Sequence, residues 1–415
     1  MNTRRPAFRA VLWFAGLIAL LAGCALPPNA APARVPLLLI SLDAFRWDYP
    51  TLHSEDTPRL RELARTGASA ASLIPVFPSN TFANHYTIVT GLYPAHHGII
   101  NNRFFDPKLG RPFVYNVTPI SSQSVWWRGE PIWVTAGRQG RISATSFWPG
   151  SEAVIRGRRP DFWKPFDLKA KFEDRMEELV GWMKLPPDKR PAIVTFYLEL
   201  TNAAGHAYGP ASPELGAAAQ TVDRQIGTLL DRLQAEGVAF NVMVVSDHGM
   251  ADVALDRVAV VDDYLDLTKV QVDFDESVLG LRPLDGDVDG LLRALAKLPP
   301  HYRVYRAADL PARFHLSGTD RIPPVWVVPD EGWEIYRKST LDPVRANFHK
   351  GQHGYDPAYP SMHGILIASG PSFRAGGLVV DSVENVHVYN LMCAALGLKP
   401  APNDGDDRLV KALLK

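Results

Sequence analysis

The sequence predicts an α/β fold: a mostly parallel sheet with helices on both faces and a small inserted subdomain. Three observations carry this. From residue 34 onward, short apolar β-rich runs alternate with longer amphipathic ones. At 415 residues the chain is long enough for a large core plus an insertion. The part from about 250 to 350 breaks the alternation, being rich in Asp and Pro with only weak strands.

Taken in order, the first strand covers 35–42, Val35-Pro-Leu-Leu-Leu-Ile-Ser-Leu42, and ends at Asp43. Thr57 is a cap with Pro58 at the first helical position, so a helix runs over 58–66 and stops at Gly67. A strand near 69–76 leads to the loop Pro78-Ser-Asn80 and a helix over 80–90 closed by Gly91. A helix over 167–183, a strand over 191–198 and a helix over 213–236 follow. The next apolar run, 239–246, closes on Asp247-His248-Gly249. A helix over 287–297 and a strand over 323–328 fall within the irregular region. A strand over 364–368 and a helix over 384–396 complete the pattern. There is no internal repeat.

Arg4, Arg5 and Arg9 precede an apolar run over 11–22 that is too short to span a bilayer comfortably. It reads as a secretory signal over 1–24. Leu21-Ala-Gly-Cys24 resembles a bacterial lipobox, which makes Cys24 the lipid-bearing first residue of an exported, periplasmic chain. Ordinary cleavage nearby is the alternative. Residues 25–33 are a flexible linker and 34–415 the catalytic domain. Cys393, in an apolar helical run, is the only other cysteine, so no internal disulfide and no thiolate metal site can be built. Zero net charge offers no footprint for a nucleic-acid polymer or an anionic membrane surface. Contact with a membrane would come only through the lipid, and nothing in the sequence requires an oligomer.

Carboxylates and histidines at the carboxyl ends of buried strands mark the ligand side of an open α/β sheet. Asp43 and Asp247-His248 occupy such ends. Neighbours on a regular strand point to opposite faces, so Asp247 and His248 converge only if the chain turns, and Gly249 permits that. Asn202 and His206 are four apart, on one side of a helical turn. His353 lies in a glycine-flanked loop. Thr81 sits on the first turn of a helix, where free N–H groups and the dipole attract phosphate. Alone, Thr81 or Asn80 would merely cap that helix. A threonine hydroxyl becomes a nucleophile only beside a base or a metal. Together these residues offer two sets of oxygen and imidazole ligands, the mixture zinc takes when no thiolate is present. His85, His96, His97 and His363 read as capping or packing groups. Asp262, Asp263, Asp285, Asp287 and Asp289 read as solvated loop charge.

Leu42-Asp43, Pro78-Ser-Asn-Thr-Phe-Ala-Asn-His-Tyr86, Thr90-Gly-Leu-Tyr-Pro94, His97-Gly-Ile-Ile-Asn-Asn102, Trp148-Pro-Gly-Ser-Glu152, Gly205-His206, Val244-Val-Ser-Asp-His-Gly-Met250 and His353-Gly-Tyr-Asp356 resemble the nucleotide pyrophosphatase/phosphodiesterase family of the alkaline phosphatase superfamily. The chain is especially similar to the secreted bacterial members, from about residue 34 to Pro402-Asn-Asp-Gly405. The resemblance implies an alkaline-phosphatase-like fold and a hydrolase with two Zn²⁺. It would cleave phosphodiester or pyrophosphate bonds of nucleotides through a phosphothreonine, releasing a nucleoside 5'-monophosphate. Thr81 matches the nucleophile. Asp43, Asp247 and His248 match the ligands of one zinc, and His206 and His353 match ligands of the other. Asn102, with the backbone N–H of Thr81 or Phe82, matches the group that holds a non-bridging phosphate oxygen. Phe82 and Tyr197 match aromatic groups around the base, with Phe166 a further candidate.

Asn202 departs from the family's pattern, which has aspartate there. An amide oxygen can still ligate, but without the charge that makes a good zinc ligand. Glu199, three residues upstream, is a nearby substitute. The resemblance thus implies a weakened metal site. Two other readings stand beside the diesterase: a phosphomonoesterase of the same superfamily, and a nucleotide-binding protein with little activity.

Overall fold

The computed structural model describes Met1, Asn2 and residues 35–415. The secretory segment, the lipobox with Cys24 and the linker lie outside the described residues.

One eight-stranded sheet organises the chain, in the order Leu378–Val380, Ala68–Ala70, Leu366–Ser369, Asn241–Val245, Leu37–Leu42, Ile193–Leu198, Ser143–Ser146, Phe162–Lys164. Only Leu366–Ser369 runs antiparallel to its neighbours. The central strand shows why helices must cover both faces. Leu38, Ile40 and Leu42 pack on one side with Val194, Phe196 and Leu229. Leu37 and Leu39 pack on the other with Met243 and Tyr389. Side chains alternate along a strand, so a run apolar at every position but Ser41 is apolar on both faces. All six residues of Leu37–Leu42 are buried, and each leucine or isoleucine stabilises the fold by about 1.5–3 kcal/mol. Helices Pro58–Thr66, Phe172–Met183 and Pro213–Ala235 close the first face. Thr81–Thr90, Ile132–Arg138 and Val388–Leu396 close the second.

Sequence and structure agree closely on the apolar elements. Ser143–Ser146 and Phe162–Lys164 have no counterpart in the sequence reading: one is polar and the other three residues long. The stretch read as one strand over 69–76 is two, Ala68–Ala70 and Leu73–Ile74, pairing in different sheets. Gly67 ends its helix at φ −97°, not in the left-handed region.

The irregular region holds an antiparallel subdomain. Ala251 and Asp252 pair with Gln352 and Gly351, so the two ends of the insertion are stitched together where it leaves the main body. Between them lies a four-stranded sheet, Val270–Phe274, Leu279–Pro283, Val325–Pro329 and Tyr302–Arg306, with helix Val288–Leu295 packed against it. Arg321 locks the subdomain down. Its buried guanidinium pairs with Asp106 at 2.8 Å and donates to the carbonyls of Gly98, Trp126 and Val125. Stripping a buried charge of its ion-pair partner costs about 3–5 kcal/mol.

Candidate active site

Two neighbouring strands of the parallel sheet end together and deliver the acidic groups. Asp43 follows Leu37–Leu42, and its N–H donates to Leu198 O at 2.9 Å. Its carbonyl accepts from Thr201 Oγ1 at 2.6 Å. The chain turns at Ala44, whose φ of 55° is left-handed, and the Ala44 N–H reaches Asp247 Oδ1 at 3.2 Å. After Asn241–Val245 the backbone turns as expected, bringing Asp247 and His248 to one side. Gly249 earns its place through space rather than a positive φ: a Cβ there would lie 2.0 Å from Ser361 O.

Asp43, Asp247 and His248 each present a ligand atom, all within 4.8 Å of one another and all buried. Asp43 Oδ1 and Asp247 Oδ2 accept no hydrogen bond. Asp247 Oδ2 lies 3.0 Å from His248 Nε2, and Asp43 Oδ1 lies 3.5 Å from the same nitrogen. Two buried carboxylates this close titrate as a unit, one held high and one low. Burial and then Asp247 push Asp43 up to about 7. Burial also raises Asp247, but His248 and His85 outweigh it and hold that carboxyl below its ordinary range. Such a pair is costly without a cation, and a divalent ion would supply the missing charge.

His206, His353 and Asn202 make up the second candidate set. His206 donates Nδ1–H to Gly351 O at 2.9 Å, His353 to Ser79 O at 3.1 Å, and His248 to Gly249 O at 2.9 Å. In all three the backbone takes Nδ1, which leaves Nε2 as the ligand atom. Burial pushes His206 down to about 4, and burial with His248 and His206 drives His353 well below its usual value. Both rings are therefore neutral, the form that binds metal. Their ring centres are 5.1 Å apart. Asn202, on helix Leu200–Tyr208 with His206, has a buried Oδ1 without a hydrogen-bond partner. Its Oδ1 is thus free to ligate. Glu199 does not substitute for it: that carboxylate interacts with Arg175 and is absent from the cleft wall. Gly354 lets the His353 loop pass close by, at φ 104°, where a Cβ would meet Ser277 Oγ at 2.2 Å. The donor set among the described residues fits one cation with two carboxylates and an imidazole, and offers a second only the neutral Asn202, His206 and His353.

Thr81 is the first residue of helix Thr81–Thr90, and its Oγ1 lies 3.3 Å from His248 Nε2. It opens onto a cleft of about 740 Å³ that also exposes Asp43, Asn202, His206 and His353. Asn80 occupies the cap position but its side chain turns away to Asn101. Asn102 Oδ1 accepts from the Phe82 N–H at 2.9 Å. That engages one of the two backbone donors expected for phosphate. Asn102's own amide N–H₂ and the Thr81 N–H, a first-turn donor, remain.

Phe82, Phe166 and Tyr197 line the same cleft. Phe166 is half exposed, its N–H tied to Glu152. Tyr197 has a further task that the sequence did not suggest, since its hydroxyl donates to Asp43 Oδ2 at 2.5 Å. Tyr115, edge-on to Phe82 at 5.3 Å, joins this wall and was not foreseen.

His85 is the main correction. Read as a packing group, it lies beside the carboxylates, with Nδ1 3.1 Å from Asp247 Oδ2. Position +4 from Thr81 on one helix was the available signal. His97 does pack, against Thr87 and Tyr86; His96 pairs with Asp404 at the surface; His363 bonds Ser72 and Pro357. The loop aspartates are exposed, with Asp287 capping a helix.

A family model described as type I phosphodiesterase / nucleotide pyrophosphatase matches residues 37–356. Ectonucleotide pyrophosphatase/phosphodiesterase family member 1 of Homo sapiens is 37% identical over 393 residues, covering 92% of this chain and 42% of the human protein. The chain thus spans under half the length of that relative. An uncharacterized pyrophosphatase/phosphodiesterase of Schizosaccharomyces pombe is 37% identical over 382 residues, 89% of this chain and 78% of its own. Among solved structures, murine ectonucleotide pyrophosphatase/phosphodiesterase 5 superposes with a TM-score of 0.86 at 33% identity, over 92% of this chain and 100% of that one. The same protein is known as an inactive threonine-to-alanine form in complex with AMP, with an equal TM-score.

Proposed function

This chain belongs to the type I phosphodiesterase / nucleotide pyrophosphatase family, and we propose that it hydrolyses phosphodiester or pyrophosphate bonds of nucleotides, releasing a nucleoside 5'-monophosphate. The observation that carries this reading is the hydroxyl of Thr81 at a helix head, 3.3 Å from His248 and open to the cleft beside Asp43. The AMP complex of an inactive threonine-to-alanine relative supports it from outside.

Asp43, Asp247 and His248 would hold one zinc ion, and Asn202, His206 and His353 the other. Bound there, the ions supply positive charge that lowers the pKa of a hydroxyl or water and offsets charge on the departing oxygen. The chain's own residues do the rest. Phe82, Phe166 and Tyr197 take the base, and Asn102 with the Thr81 N–H holds a non-bridging oxygen, so phosphorus is presented to Thr81 Oγ1. The Oγ1–phosphorus bond forms as the bond to the leaving oxygen breaks, the Thr81 proton passing to solvent and the leaving oxygen taking one up, which gives a phosphothreonine that carries the nucleoside. Water then displaces threonine and restores the hydroxyl. Positioning and charge are most of what such a transfer asks of a protein.

The aromatic wall sets the preference. Stacking contributes on the order of 1–3 kcal/mol per base, so a nucleoside diester is favoured over a simple monoester. A nitrophenyl thymidine-monophosphate diester is expected to be cleaved at least about tenfold more efficiently than nitrophenyl phosphate, and Phe82→Ala to shrink that ratio. A faster reaction with nitrophenyl phosphate would instead make the protein a monoesterase.

The chain is read as exported and anchored in the periplasm through a lipid on Cys24. Cells fed labelled palmitate should label the wild type and not Cys24→Ser. Labelling of neither rules out the anchor.

A further inference from the structure

His85 is fully buried and touches three elements that build the site. Its Nδ1–H is donated to the carbonyl of Thr81 at 2.9 Å and faces Asp247 Oδ2 at 3.1 Å, close enough to be shared. Its Nε2 meets Ser41 Oγ, on the strand that delivers Asp43, at 2.8 Å. Trp148 and Tyr197 stand edge-on to the ring at 4.9 and 5.2 Å, so it has no room to rotate. A packing histidine needs none of this. A phenylalanine would fill the same space but would leave no N–H facing Asp247 Oδ2.

We propose that His85 is a positioning residue: through Nδ1 it fixes the Asp247 carboxylate and the backbone of Thr81 relative to each other, and Ser41 holds the ring in place. The Ala44 N–H anchors Asp247 Oδ1, and His85 sets where Oδ2 points. The distance between ligand and nucleophile is thereby set by one side chain rather than by two independent loops. Partners of this kind, one step behind the ligands, typically change metal affinity by about 10–100-fold when lost.

The inference rests on the reading of Asp43, Asp247 and His248 as metal ligands, and its test is zinc affinity rather than turnover. Wild type, His85→Asn, His85→Phe and Ser41→Ala are titrated with zinc against a chromophoric chelator. Asparagine places an N–H near the position of Nδ1 and should bind within about threefold of wild type, whereas phenylalanine should lose about 10–100-fold. Phenylalanine binding as tightly as asparagine would reduce His85 to a space-filler and overturn the proposal. Should the phenylalanine variant fail to fold, Ser41→Ala decides: a several-fold loss supports the proposal, and unchanged affinity sinks it. Wild type that binds no zinc defeats the functional reading itself, a different result.

Discussion

Thr81→Ala should leave a folded protein that binds nucleotide and does not turn it over. The hydroxyl makes one long contact, 3.3 Å to His248. Losing such a bond costs about 0.5–1.5 kcal/mol at most. The helix is held instead by Tyr86, Ile88 and Val89 in the core and by Asn84, which bonds Val76 and Asn385. Activity has no such reserve. Among the described residues no other cleft hydroxyl hydrogen-bonds His248 Nε2. Turnover of the nitrophenyl diester should fall on the order of 10³-fold or more, while the melting temperature shifts by a few degrees. Thr81→Ser keeps the oxygen and should keep part of the rate. Near-normal hydrolysis by the alanine variant would remove Thr81 from the mechanism and leave water attacking directly.

What the sequence discloses follows from where each side chain gets its partner. Strands such as Leu37–Leu42 and Asn241–Val245 are legible because burial on both faces demands a run that is apolar at nearly every position. Ser143–Ser146 is no less buried, yet Ser143 is satisfied by Asp161 and Ser146 by Arg175, partners that local pattern does not reveal. The site divides the same way. Asp43, Asp247 and His206 are visible because polar groups at strand ends and helix turns have few structural reasons to be there. His85 is invisible because its meaning lies in Asp247 and Ser41, far along the chain, while its local setting is an ordinary helix. Tyr197 is half visible for a related reason: the family resemblance marks its ring, while its bond to Asp43 appears only in the structure. Residue type announces the groups that act; their supports become visible only through contact.

Asn202→Asp should strengthen the weaker ion site and weaken the protein without metal, and the two opposite signs make the test sharp. Asn202 Oδ1 is buried and unpartnered, so an oxygen is already in place, and the substitution changes its charge far more than its shape. With a divalent ion present, that added charge is attractive. At an effective dielectric of about 20 a unit pair at 4 Å is worth about 4 kcal/mol, and even a third of that gives about tenfold in affinity. With the metal chelated, the new carboxylate joins Asp43 and Asp247, which already raise one another's cost of ionisation. The melting temperature should then drop below that of the unsubstituted protein, and rise above it in saturating zinc. Diesterase activity in limiting zinc should increase about tenfold, approaching parity as zinc becomes saturating. Equal zinc affinity in the two proteins would mean that Asn202 is not a ligand. Failure of both saturating zinc and Asn202→Asp to yield any turnover would favour a protein that captures nucleotides without cleaving them. Thr81 would then lack the positive charge that its attack requires.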